Sequence, residues 1–210
     1  SAAIIIQAGT ERKGSGKMRL IARDRCGTLA VAPGGLMARR TIGGSGGGDR
    51  VDDLEKKLNV PTKIAHVLNE RNVVWAVGAS MLLYLRGIVD VFHDIDLMVC
   101  ESDVEKLKEQ LLPMGVLAPP KPDQQYKTRH FLEFVIQGVD VDVIAGFVIV
   151  KDGRDYDCPF GPEQIEEYLQ LNGETIPLQS LRDWRRYYEL MGRTSKVEII
   201  DRSIPVDGKE

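Results

Sequence analysis

Val73–Cys100 reads VVWAVGASMLLYLRGIVDVFHDIDLMVC. Val73–Val77 is an unbroken apolar run, which predicts a buried strand. Gly78-Ala79-Ser80 follows at its end, and Ser80–Arg86 has the spacing of a short helix. Asp94-Ile95-Asp96 then opens a second strand over Ile95–Val99. Side chains two apart on a strand share a face, so the Asp94 and Asp96 carboxylates point the same way, about 7 Å apart. Such a pair can bridge two hard cations, with Ile95 turned into the core. Alone the pair also fits a solvated strand edge, but Leu97-Met98-Val99 directly after it buries the strand. The turn has two readings of its own. Free N–H groups at a helix start suit phosphate, with Gly78 allowing close approach and Ser80 donating a hydroxyl. Taken alone, the tripeptide reads first as an ordinary helix start with Ser80 as N-cap.

Further along, Val139-Asp140-Val141-Asp142-Val143-Ile144 repeats the alternation, with valines on one face and aspartates on the other. If this strand lies beside Ile95–Val99, one of its aspartates completes a three-carboxylate cluster. Such a cluster repels itself without metal, so it predicts bound Mg²⁺ or Mn²⁺.

The rest of the body begins near Arg50. Val51–Leu58 and Thr62–Asn69 have helical spacing, with Pro61 opening the second segment. Ser102-Asp103-Val104-Glu105 reads as a capping box for a helix to about Leu112. Pro113, Pro119, Pro120 and Pro122 mark a loop. His130–Gln137 and Val139–Ile144 are strands joined tightly at Gly138. Pro162–Leu171 reads as a helix, and Ser180–Met191 as an amphipathic C-terminal helix ending at Gly192. The expected fold class is α/β or α+β, with a mixed β-sheet and flanking helices.

Residues 1–49 differ in texture. Eleven of the 21 glycines lie in the first 50 residues, which carry nine Lys/Arg against three Asp/Glu. The remaining 160 residues carry 19 against 28. Ile4–Gln7, Met18–Ala22 and Thr28–Ala32 are short strand candidates, the first two around a Gly14-Ser15-Gly16 turn. Gly43–Gly48 has the composition of a flexible linker. The expected organisation is a β-rich or flexible basic arm over 1–49, partly foreign to the body, and one domain over 50–210. The arm can contact nucleic acid or pack on the acidic body. Gly14-Ser15-Gly16-Lys17 is not a P-loop: the motif needs Gly where Glu11 stands and Ser or Thr where Met18 stands.

An apolar content of 43% and a charged content of 28% suit an ordinary globular chain, and no run is long enough to span a membrane. Cys26, Cys100 and Cys158 are too scattered for a metal knuckle or a disulfide framework, so a reducing, cytoplasmic setting is expected.

The order strand, Gly-Ala-Ser, helix, Asp-Ile-Asp on a strand and Val-Asp-Val on a later strand resembles the nucleotidyltransferase superfamily with the DNA polymerase β-like core. The resemblance covers about residues 54–201. The Ile176–Leu181 stretch and the helix before Gly192-Arg193 look like the tail of small antibiotic-modifying and minimal members. It implies a nucleoside triphosphate (ATP, for instance) as substrate, two Mg²⁺ or Mn²⁺ ions, and transfer of NMP to a hydroxyl with release of pyrophosphate. Gly78, Ala79 and Ser80 would hold the triphosphate. Asp94, Asp96 and Asp142 would bind metal, with Asp140 as the alternative third ligand. Asp142 would also activate the acceptor, be it a small molecule, a protein or an RNA end. Arg86, Lys127 and Arg129 are candidate phosphate cations, though each taken singly reads first as surface charge. His93 could touch substrate or sit at a strand-end surface. His66 reads as a structural residue of an apolar helix. Trp184, Tyr187 and Tyr188 could stack a base but read first as helix packing. Two family features differ: Asp90-Val91-Phe92-His93 stands where small members carry Arg and Thr, and Tyr188 stands where many have Lys. These differences motivate an alternative, an inactive binding or regulatory module such as a toxin–antitoxin component.

Overall fold

A computed structural model describes residues 6–9, 22–23, 29–30, 48–120 and 125–204, with side chains described over 54–120 and 125–204. In chain order the elements are β1 (Ile6–Gly9), β2 (Ala22–Arg23), β3 (Leu29–Ala30), α1 (Gly48–Glu70), β4 (Trp75–Val77), α2 (Ala79–Leu85), β5 (Ile95–Val99), α3 (Val104–Leu111), β6 (Val116–Leu117), β7 (His130–Ile136), β8 (Val139–Ala145), β9 (Phe147–Lys151), β10 (Arg154–Cys158), β11 (Ile165–Leu171), β12 (Glu174–Gln179), α4 (Leu181–Leu190) and α5 (Thr194–Ser203). Eight of the described strands form one mixed, mostly antiparallel sheet, in the order β1-β11-β12-β4-β5-β8-β7-β6. The parallel pairs are β12–β4 and β5–β8. β9–β10 and β2–β3 are separate antiparallel pairs. The mixed sheet with flanking helices is the architecture expected from the sequence. The Gly14–Gly16 turn and most of the Met18–Ala22 and Gly43–Gly48 readings lie outside the described residues.

The core follows the apolar pattern. β4 is buried along its whole length, and β5 is buried except for Asp96. α1 presents Leu58, Val60, Ile64, Ala65 and Leu68 to it, all essentially without solvent contact. That continuous face explains one departure from expectation. The two helical segments are a single 23-residue helix with Pro61 inside. An interior proline costs about 3 kcal/mol, and the four large buried side chains, Leu58, Val60, Ile64 and Leu68, at roughly 1.5–3 kcal/mol each outweigh it. The Thr62 hydroxyl donates to the Leu58 carbonyl at 2.9 Å beside the break.

Pro162–Leu171 is the second departure. Only Pro162–Gln164 turns, as a short 3-10 helix, and Ile165–Leu171 is strand β11, paired antiparallel with β12. Leu169 and Leu171 are buried at strand spacing. Asn172 and Gly173 have φ of 51° and 88°, the conformation of a two-residue hairpin turn that favours Asn-Gly. Asp152 and Gly153, at 50° and 73°, turn β9 into β10 in the same way. The capping box is also replaced. A 3-10 turn over Glu101–Asp103 runs into α3, and the Ser102 hydroxyl lies 3.3 Å from Cys100 Sγ. Asp103 instead accepts the Val74 N–H at 2.8 Å and the Lys106 ammonium at 2.9 Å, tying α3 to the lead into β4. His66 is exposed on α1, its Nδ1 3.0 Å from Glu174 of β12, rather than set in an apolar stretch. No helix among the described residues is long and apolar enough to cross a membrane.

Candidate active site

β4 ends at Gly78, whose N–H donates to the Asp96 carbonyl at 2.9 Å. Ala79 then takes φ +42°, a left-handed conformation uncommon for a residue with a side chain, and α2 begins. This turn aims Ser80 at β5, where its hydroxyl donates to Asp94 Oδ1 at 3.1 Å. Ser80 is not the N-cap: Gly78 occupies that position without a side-chain bond.

β5 and β8 are parallel neighbours with Asp96 directly opposite Asp142. Asp94, Asp96 and Asp142 each present a carboxylate oxygen to a common point, all within 4.8 Å of one another. Asp140 lies one step along β8, exposed, opposite Val135 of β7, and outside that group. The three carboxylates face a cavity of about 770 Å³. Asp96 retains a little surface on the cavity, but protein packs closely around its carboxyl. Burial first, and then the charges of Asp94 and Asp142, push its pKa up to about 8, against a partial downward pull from Arg193. An acid held neutral by neighbouring acids is a poor resting state and a good cation site. Three hard oxygen donors from two rigid strands fit Mg²⁺ or Mn²⁺.

The opposite wall is α4 and the corner into α5. Trp184 is only 2% exposed and its ring lies flush against Gly78. Its indole N–H donates to Gln179 Oε1 at 2.7 Å, and the fully buried Gln179 donates to the Tyr187 hydroxyl at 3.4 Å. Tyr188 packs on Trp184 with ring centroids 5.5 Å apart, and burial pushes its phenol pKa up. The Arg193 guanidinium lies 5.9 Å from the Tyr188 ring centroid and donates to the Tyr126 hydroxyl at 3.4 Å. Lys196 of α5 also lines the cavity. The aromatic cluster on α4 is therefore packing and cavity wall together. His93 reaches the cavity as well.

The cations expected from the sequence stand elsewhere. Arg86 lies 3.2 Å from Glu166 and 3.4 Å from Glu167. These pairs are close rather than aligned, since its buried Nε and Nη2 make no hydrogen bond among the described residues. Lys127 pairs with Asp155 at 2.9 Å, and Arg129 holds Glu101 at 2.7 and 2.9 Å. None of the three lines the cavity. Each was readable as a base near the motif, but side-chain direction and a local acid decide its place. Arg193 entered the sequence reading only as part of the Gly192-Arg193 tail, and Lys196 carried no signal there beyond being basic.

No protein-family model and no curated protein matches the chain. Solved structures do. TM1012 of Thermotoga maritima, assigned as a nucleotidyltransferase, superposes with a TM-score of 0.57 at 24% identity, over 71% of this chain and 92% of that one. The solution structure of the antibiotic-resistance factor ANT(2'')-Ia superposes at 0.50 with 14% identity, over 72% and 85%. This is the nucleotidyltransferase fold. ANT(2'')-Ia in complex with adenylyl-2''-tobramycin also matches, with a TM-score of 0.48 at 16% identity, over 70% of this chain and 88% of that one. The turn after β4 and the aspartates at β5 and β8 line the cavity together with Trp184 and Tyr188 of α4 and Lys196 of α5.

Proposed function

We propose that this protein is a nucleotidyltransferase that moves NMP from a nucleoside triphosphate to a hydroxyl group and releases pyrophosphate. The observation that carries the reading is the convergence of three carboxylate oxygens within 4.8 Å at the floor of a cavity of about 770 Å³. Asp94, Asp96 and Asp142 are the residues that would hold two Mg²⁺ or Mn²⁺ ions. When bound, such ions neutralise the phosphates and acidify the acceptor hydroxyl.

The chain's own groups divide the remaining work. Arg193 and Lys196 line the same cavity as the carboxylates and bind the triphosphate tail, offsetting the charge that collects on the leaving pyrophosphate. Ser80 holds Asp94 by its hydroxyl and so sets that carboxylate's orientation. Asp142 takes the proton of the acceptor hydroxyl. The acceptor oxygen then forms its bond to the α-phosphorus, and the bond from that phosphorus to the bridging oxygen breaks with its electron pair leaving on pyrophosphate. The absence of Lys at Tyr188 is met by Arg193, whose guanidinium lies over that ring. This supports a working site over an inactive module.

Calorimetric titration of Mn²⁺ and a non-hydrolysable ATP analogue tests the reading. Wild type is expected to bind both, with Asp96→Ala and Asp142→Ala losing the metal-dependent part. Equal and negligible affinity in all three proteins overturns it.

A further inference from the structure

We propose that Gln179 is a positioning residue for the carboxylate site: through Trp184 it fixes the Gly78–Ser80 turn, and so the aim of the Asp94 carboxylate. The inference rests on the nucleotidyltransferase reading above and gives that site a support outside the residues that border its cavity.

Gln179 is the last residue of β12 and is fully buried. A buried amide costs free energy unless its groups are paired, and this one is paired at both ends. An indole N–H can only donate, so the amide oxygen faces Trp184, which it meets at 2.7 Å. The amide nitrogen then faces the Tyr187 hydroxyl at 3.4 Å. Trp184 and Tyr187 are three apart on α4 and share a helix face. One amide therefore fixes how that face is turned toward the sheet. A hydrocarbon side chain of the same length would fill the space but would not hold the ring.

The turn after β4 leans on the ring so held. β12 and β4 run parallel with Leu178 opposite Val77, so Gln179 and Gly78 follow on adjacent strands. Trp184 bridges them. Its indole edge is bonded to Gln179 and lies flush against Gly78, where even a methyl group would collide with it. Beyond Gly78, Ala79 at φ +42° points Ser80 at Asp94 Oδ1, 3.1 Å away. A left-handed alanine is strained and persists only where its surroundings hold it. If the ring moves, the turn relaxes and Ser80 loses its aim. The hydrogen bond it would lose is charge-assisted and orients one of the three converging carboxylates. Gln179 does not itself line the cavity, so it acts on the site only through Trp184 and the turn.

The test is a double-mutant cycle on the full chain, read as affinity for a non-hydrolysable ATP analogue with Mn²⁺. Gln179→Met keeps the side-chain length and removes both hydrogen bonds. Ser80→Ala removes the hydroxyl at the far end of the relay. Each is expected to weaken binding roughly tenfold, and the double variant to bind no more weakly than Ser80→Ala alone. Independent effects at separate sites would multiply, so a roughly hundredfold loss in the double variant overturns the proposal. Gln179→Glu keeps an acceptor for the indole and is expected to recover most of the affinity. A Gln179→Met protein that binds like wild type also overturns the role. The chain has two tryptophans, and the Trp75 indole N–H, held by Asn69 at 3.1 Å, gives an NMR signal that reports an intact fold. Should Gln179→Met fail to fold, Trp184→Phe removes the same bond from its other partner and takes its place in the cycle, with the same deciding outcomes. If wild type binds the analogue and the losses multiply, the Gln179 role fails and the nucleotidyltransferase reading survives. If wild type binds neither Mn²⁺ nor the analogue, that reading fails and the Gln179 role falls with it.

Discussion

At Gly78 an added methyl group would lie 2.6 Å from Cε2 and 2.7 Å from Nε1 of Trp184. Its φ of −120° is open to any residue, so the position needs glycine for space rather than for conformation. Trp184 cannot easily yield, because Gln179 holds its indole N–H. Gly78→Ala is expected to cost about 1–3 kcal/mol, by overpacking, and to weaken nucleotide binding by tilting the turn. Denaturant unfolding and analogue titration of the variant check both effects. Asp96 carries the clearest pH signature. Its folded pKa of about 8 lies above the ordinary 3.8, so the native state holds a proton that the unfolded chain gives up. This contribution to stability is fully present below about pH 4 and is lost as pH rises through 8. Metal-free Asp96→Asn should therefore exceed wild type in Tm at pH 8 by roughly 5 °C, and the gap should close toward pH 4. Thermal scans in chelator across that range measure it. In wild type, binding of Mg²⁺ at pH 7 should release a proton, since the metal needs the ionised carboxylate.

The corner between α4 and α5 decides where phosphate can be held. Gly192, at φ +72°, turns the chain from α4 into α5, and Arg193 and Lys196 beyond it line the cavity that holds the aspartates. Arg193→Ala and Lys196→Ala should each weaken binding of the ATP analogue roughly tenfold. Arg86→Met and Lys127→Ala should leave it within about twofold, because an exposed or locally paired charge off the site contributes little. A uniform loss across all four would contradict the assignment. Elements also show where sequence patterns mislead. Ile165–Leu171 has enough polar spacing to pass for a helix, yet Asn172-Gly173 directly after it is a hairpin signal. Asp152-Gly153 is its counterpart between β9 and β10. Both turns were legible. The pairing of β12 with β4 was not, because it joins segments about 100 residues apart.

Across the whole molecule, the site joins residues from four regions of the chain: the β4–α2 turn, β5, the β7–β8 hairpin and the α4–α5 corner. Ligand bound there ties these regions together, so saturation should stabilise the fold as a unit. Mg²⁺ with analogue at about 100 times Kd should add about 2.7 kcal/mol and raise Tm by roughly 5–10 °C. Asp142→Ala should abolish the shift in a thermal scan while still unfolding cooperatively. The sequence by itself determined the mixed-sheet class, the strand–turn–helix unit at Val73–Leu85 and the carboxylate pair at Asp94 and Asp96. These depend on local periodicity, on apolar runs and on spacing along one strand. The family resemblance named Asp142 first and Asp140 as the alternative, and the register of β5 against β8 sets Asp142 opposite Asp96. The exclusion of Arg86, Lys127 and Arg129 from the cavity needed the positions of Glu166, Glu167, Asp155 and Glu101. Arg193 and Lys196 became visible only when the α4–α5 corner came to border the cavity. Charge is written in the sequence, but which charges meet is settled by long-range pairing and by the direction each strand and helix turns its side chains.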